Sequence, residues 1–243
     1  MPRANRQFEI GGVYHVMNRG VEKRDIFLKP QDYSRFTIAL EFFNRSSTID
    51  LWPLIAHGVG ETAVGGTVPP TRIWKRLEDE RKKSRDVLVE LLAFSLMPNH
   101  FHLIVKEIVD GGVSLFMRKM GGYAGYFNKQ YKRIGPLFQS RYKVVRIQTD
   151  EQLSAVFHYV HANPIEIFHP GWKEHECIDP SKLLRVLEEY QWSSYQDYFT
   201  TPNFPSAIKK DFFLEFFGNQ NACKKAFQDW VISKARLEAV PEL

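Results

Sequence analysis

Two hydrophobic rhythms alternate along the first two thirds of the chain. "GGVYHVMNRG", residues 11–20, enters on Gly-Gly and leaves on Asn-Arg-Gly, and its β-branched and aromatic residues predict a strand with Val13, His15 and Met17 on one face. "KPQDYSRFTIALEFFNR" then places Phe36, Leu40 and Phe43 at helical spacing behind Pro30. Two short strands follow, Leu91 to Leu96 and Phe101 to Lys106, joined by the turn-forming "MPNH". Ser114 to Tyr131 reads as a helix that Gly121 and Gly122 could kink. "RYKVVRIQ" alternates basic and apolar residues and predicts a strand with one basic face of Arg141, Lys143 and, after an irregularity, Arg146. In "TDEQLSAVFHYVHANP", Thr149 is the N-cap, Gln152 completes a capping box and Pro164 is the stop. Leu153, Val156, Phe157 and Val160 form the stripe of that helix to be buried.

Strand, helix, strand, strand, helix, strand, helix with short antiparallel connections predicts an α+β sandwich, helices packed on a mostly antiparallel sheet. The stretch from His57 to Trp74 is rich in Gly, Thr and Pro and has no period that would bury it, so it reads as a flexible insertion. The charged run "KRLEDERKKSRDVLVE" behind it reads as a solvated, helix-compatible lead back to the core. Beyond Ile165 the pattern turns to short helices and loops. The expected organisation is a domain over residues 1–164 and a C-terminal helical extension over residues 165–243.

Composition narrows the setting. A chain of 243 residues with 44% hydrophobic and 25% charged residues can bury a substantial core. Cys177 and Cys223 are the two cysteines, too far apart to suggest a zinc knuckle or a disulfide framework. The N-terminus is polar and basic, and no apolar run reaches the roughly 18 residues of a membrane span, so a cytoplasmic protein without membrane contact is expected. A net charge of +5 permits a polyanionic partner without requiring one.

The candidate chemistry begins at "SLMPNHFHLIV". His100 and His102 stand at i and i+2 on a strand, so both imidazoles leave the same sheet face, within reach of one cation. The same spacing also fits two solvent-exposed strand histidines. On the last helix Tyr159 and Asn163, four apart, share a flank of the buried stripe, and Asn163 sits at the helix end where its amide can ligate or cap. A divalent cation held by two imidazoles and an amide oxygen keeps positions open for phosphate oxygens. Lys119, Lys129, Lys132, Arg133, Arg141, Lys143 and Arg146, interleaved with Tyr123, Tyr126, Phe127, Tyr131, Phe138 and Tyr142, suit a groove for a phosphate backbone and unpaired bases, or equally a solvated helix face.

Five stretches in order, "YHVMNRG", "LMPNHFHLIV", "YFNKQYKRIGPLFQSRYK", "YVHANP" and "WSSY", resemble the single-tyrosine, His-hydrophobe-His transposases of the insertion-sequence type, and most closely their REP-associated relatives. The resemblance implies a ferredoxin-like fold, His100 and His102 as ligands of Mg²⁺ or Mn²⁺, Asn163 where relatives carry a polar residue that completes the metal site, and Tyr159 as nucleophile. It implies a single-stranded DNA nickase and strand-transferase that recognises hairpins, joins a 5′ phosphate to tyrosine and leaves a 3′ hydroxyl. Tyr123, Tyr126 and Tyr131 are the rival nucleophiles. Asn163 is shorter than the Gln of relatives, and the 57–74 insertion lengthens a connection that is usually short. The REP-associated character favours a monomer with its site in cis, the insertion-sequence relatives being dimers. The alternatives are a transposase-derived binder of hairpin DNA or RNA that cleaves slowly or never, and a two-histidine hydrolase of small phosphoesters.

Overall fold

A computed structural model of the protein describes residues 7–46, 86–172 and 179–236. The predicted insertion at 57–74, most of the charged run after it, and Cys177 lie outside them. The order is β1 (Val13–Arg19), α1 (Pro30–Phe42), β2 (Val89–Met97), β3 (His100–Glu107), α2 (Gly112–Met120), α3 (Gly122–Gln130), β4 (Lys143–Ile147) and α4 (Asp150–Ala162). Then come α5 (Ile165–Phe168), α6 (Pro180–Glu189), α7 (Tyr195–Phe199), α8 (Asp211–Phe217) and α9 (Gln220–Arg236). The sheet runs β2-β3-β1-β4 with every pair antiparallel. This is the expected α+β arrangement, with the strand order of a ferredoxin-like sheet.

Alternation in β3 decides which layer each residue serves. Phe101 enters the layer of α1, where its ring lies 5.0 Å from Phe36. His100 and His102 leave by the opposite face, toward α4. Pro98 and Asn99 turn the chain between β2 and β3, and the segment after β1 stitches that turn down: Ile26 and Phe27 N–H donate to the Pro98 carbonyl, and Gly20 N–H to that of Asn99. Gly20 has to be glycine, because a Cβ there would stand 2.1 Å from the Arg24 carbonyl oxygen. The histidine end of the hairpin is therefore held from below.

One sequence expectation is sharpened and two are corrected. The 114–131 helix is two helices meeting at Gly121, which serves as C-cap of one and N-cap of the other. Lys143 and Arg146 do not share a basic face: Lys143 pairs with Met17 on the histidine side, whereas Arg146 pairs with Tyr14 and reaches Glu9. Residues three apart on a strand point oppositely, and Arg141 precedes the strand altogether. Half of the aromatic residues among those cations are core, since Tyr123, Phe127 and Tyr142 are buried and cannot stack bases.

On α4, Thr149 caps as expected, its hydroxyl accepting from Gln152 N–H, while Gln152 Oε1 accepts from Gln148 N–H and not from the cap residue. Leu153, Phe157 and Val160 are buried and Val156 only half so. His158 and His161 are buried as well, because the C-terminal helices cover the second side of α4: Phe157 packs on Tyr198 and Phe213, and His158 lies against Phe217, Phe227 and Trp230. One continuous hydrophobic core runs from β1 to α9.

The C-terminal segment also covers the outer edge of β2. Leu96 N–H donates to the Trp192 carbonyl, Ser194 N–H to that of Phe94, and the Tyr198 hydroxyl to that of Leu92. Such cover protects an edge strand from pairing with foreign chains. Ser194 Oγ accepts from Phe94 N–H and meets His161 Nε2 at 2.8 Å, while His161 Nδ1 donates to the Phe157 carbonyl. Replacing Ser194 by Ala strands two buried polar groups, and the expected loss is about 2 to 3 kcal/mol. Thermal unfolding should show a melting temperature lower by roughly 5 to 10 °C.

Candidate active site

Antiparallel register places Met17 opposite His102 and Arg19 opposite His100, so the end of β1 becomes one wall of the histidine site. The two imidazole rings stand 5.0 Å apart and nearly perpendicular. His100 Nδ1 lies 2.5 Å from Asn99 Oδ1, an acceptor, so Nδ1 carries the proton and Nε2 the lone pair. His102 Nδ1 lies 2.9 Å from His15 Nε2. Burial holds His100 down to about 4, the Arg19 charge adds to that, and the Asn163 side chain works against it. Burial alone takes His15 to about 4. Both rings are therefore neutral near neutral pH, the form that binds a metal.

Helix α4 brings Tyr159 over these rings from the other layer. Its ring centroid is 5.3 Å from that of His102 and 6.2 Å from that of His15, edge to face in each case. At 37% exposure Tyr159 is the residue of the group most open to an incoming molecule. Asn163, one turn further, is the buried C-cap of α4, and its Nδ2 has no hydrogen-bond partner among the described residues. The other tyrosines are committed elsewhere. Tyr126 and Tyr131 donate to Asp32, Tyr123 donates to the Ile26 carbonyl, and burial raises all three phenols well above their usual range.

A cleft of about 270 Å³ opens on this group, and its lining contains three cations, Arg19, Lys23 and Lys143, and no carboxylate. Arg19 Nε is buried with no hydrogen-bond partner among the described residues. A larger hollow of about 480 Å³ adjoins it across Asn18 and Ser140, between α2 and residues 138–142, with Arg118 and Arg141 in its lining. Of the cations expected to bind nucleic acid, Lys143 thus reaches the cleft and Arg141 the hollow. Lys119 donates to the Arg45 carbonyl, Arg133 bonds Asn128, Arg146 is paired with Glu9, and Lys129 and Lys132 close α3, so none of these five lines either space.

The donor set fits a divalent cation in part. No group of three His, Cys, Asp or Glu gathers as a metal site among the described residues. His100 and His102 with the neighbouring Asn163 side chain nevertheless offer two imidazole nitrogens and one amide oxygen, a sparse N,N,O set of the kind that leaves coordination positions to a substrate. Sequence reasoning missed four members of the site, His15, Arg19, Lys23 and Asn99. His15 was legible as a histidine on the Met17 face, but its contact with His102 depends on strand register. Asn99 read only as a turn residue.

Residues 75–163 match the family model described as "Transposase IS200 like", a span that includes His100, His102, Tyr159 and Asn163. Among solved structures, that of a REP-associated tyrosine transposase bound to a REP hairpin is similar at 15% identity and a TM-score of 0.41, over 69% of this chain and 74% of that one. No curated protein matches. Among the described residues no helix is long and apolar enough to cross a membrane.

Proposed function

We infer that this chain, IS200-like transposase sequence from residue 75 to 163, is a single-stranded DNA nickase and strand-transferase with Tyr159 as its nucleophile. The observation that carries the reading is the meeting of Tyr159 from α4 with His100 and His102 from β3 at the mouth of a carboxylate-free, cationic cleft. The Tyr159 hydroxyl oxygen attacks the phosphorus of a phosphodiester and forms a 5′-phosphotyrosine. The bond to the 3′ oxygen breaks, and that oxygen leaves as a hydroxyl, the proton given up by the phenol balancing the one it takes through solvent. The linkage keeps the free energy of the broken diester, so a second 3′ hydroxyl can reverse the step onto a new strand without ATP.

His100 and His102 would hold Mg²⁺ or Mn²⁺, with Asn163 as the third donor, and such an ion supplies charge neutralisation and orientation of the scissile phosphate. Arg19, Lys23 and Lys143 hold the flanking phosphates electrostatically. His100, His102 and Tyr159 meet within one chain, which supports action in cis by a monomer. The preference for hairpin-bearing DNA comes from the motif resemblance.

The test is a labelled hairpin-bearing single strand incubated with the protein and Mn²⁺, then run on a denaturing gel. A covalent protein-DNA band is expected, and the double variant His100→Ala, His102→Ala should lose it while still shifting the DNA in a native gel. Cleavage without any covalent band would point to the hydrolase alternative, and undiminished adduct in the double variant would sink the metal role.

A further inference from the structure

His15 sits at the middle of β1 with aliphatic partners in register, Ile104 on one side and Val145 on the other. Its Nε2 is instead directed along the sheet face to His102 Nδ1, at 2.9 Å, with the two rings 25° from parallel. Both histidines are buried, at 6% and 4% exposure. A hydrogen bond between two neutral imidazole nitrogens contains one proton, and there are two places for it. If His15 Nε2 carries it, His102 has its own proton on Nε2 and no lone pair to offer there. If His102 Nδ1 carries it, the Nε2 lone pair is free to bind a cation, and the His15 proton is on its Nδ1.

The neighbouring ligand position is built in the second way, because His100 Nδ1 faces a carboxamide oxygen of Asn99 that can only accept. We propose that His15 is a positioning residue: it accepts the Nδ1 proton of His102 and so holds that ring in the tautomer and orientation that present Nε2 to the cation. The two candidate ligands would then share one design, each anchored through Nδ1 by a neighbour from the sheet or its turn. Such outer partners of metal-bound histidines typically contribute roughly ten- to a hundredfold in metal affinity. This inference rests on the reading of His100 and His102 as ligands.

The first measurement needs no metal. Long-range ¹H–¹⁵N correlation on the full ¹⁵N-labelled chain at neutral pH, with His102 assigned from its absence in His102→Gln, should show the Nδ1–H tautomer. An Nε2–H pattern overturns the proposal. The second is Mn²⁺ binding followed by electron paramagnetic resonance. His15→Ala should weaken it by roughly ten- to a hundredfold, and His15→Gln, whose Oε1 can accept the same proton, should recover most of it. A merely structural role would not be rescued in affinity by Gln, and native affinity in His15→Ala with loss in His102→Ala would refute the role of His15. Should His102→Ala itself bind Mn²⁺ like the native chain, the ligand assignment falls and takes the proposal with it, and the tautomer spectrum tells that failure from the other. If His15→Ala does not fold, the Gln variant and the spectrum decide.

Discussion

Tyr159→Phe is expected to abolish the covalent protein-DNA adduct and lower strand cleavage by on the order of 10⁴-fold or more, while leaving DNA affinity within a factor of about two. The substitution deletes one oxygen at a rim position that is 37% exposed, so packing of α4 on the sheet is not disturbed. The aromatic edge over His102 and His15 is retained. Binding persists because the cleft's cations, Arg19, Lys23 and Lys143, are untouched. The measurement is a pair of gels with the same labelled strand, denaturing for the adduct and native for binding. An adduct that survives in Tyr159→Phe would remove Tyr159 as nucleophile. Tyr123, Tyr126 and Tyr131 are poor replacements, since their hydroxyls already donate to Ile26 or Asp32 on the α1 side of the sheet.

The second large effect is acid sensitivity of the fold. Burial lowers His158 from 6.5 to about 4 and His161 to about 3. A histidine kept neutral by the fold takes up its proton more readily when unfolded, so the unfolded state gains protons first as the pH falls below about 6.5. Stability is therefore full above that value and declines from it toward about pH 4 for His158 and about pH 3 for His161. Between about pH 7.5 and about pH 5 each residue should cost about 2 kcal/mol, together about 4 kcal/mol. Glu107 and Asp197, raised by burial, pull in the opposite direction, and His15 and His100 pull in the same one. The contribution of one histidine is thus best read as a difference. His158 Nε2 has no hydrogen-bond partner among the described residues and the ring is surrounded by Phe217, Phe227 and Trp230, so His158→Phe keeps the packing and removes the proton site. Urea unfolding at several pH values should show a shallower acid limb in that variant. An unchanged limb would mean that His158 is not held neutral by its surroundings.

The sheet and the helix that carry the candidate site were readable because they obey short periods. Val13 to Met17 and His100 to His102 alternate by two, and Thr149 announces α4 with a side chain that caps it. The face shared by His100 and His102 and the flank shared by Tyr159 and Asn163 followed from spacing, whereas the role of Tyr159 as nucleophile entered through resemblance to known motifs. What could not be read depends on partners far along the chain. His15 and His102 are 87 residues apart, and one step of register would remove their bond. The tyrosines and phenylalanines between 123 and 142 read as a stacking surface because composition does not say which side of a helix meets the core. The burial of His158 depends likewise on Phe217, Phe227 and Trp230, which arrive with α8 and α9.

The cover on β2 has a consequence for recombining sequences of this kind. The tie that runs from Phe94 through Ser194 to His161 joins the sheet edge, the C-terminal segment and the helix that carries Tyr159 in one chain of hydrogen bonds. A C-terminal segment borrowed from another protein would have to arrive with a matching β2 edge and a matching residue at 161. An exchange made at residue 164 would part Ser194 from both Phe94 and His161.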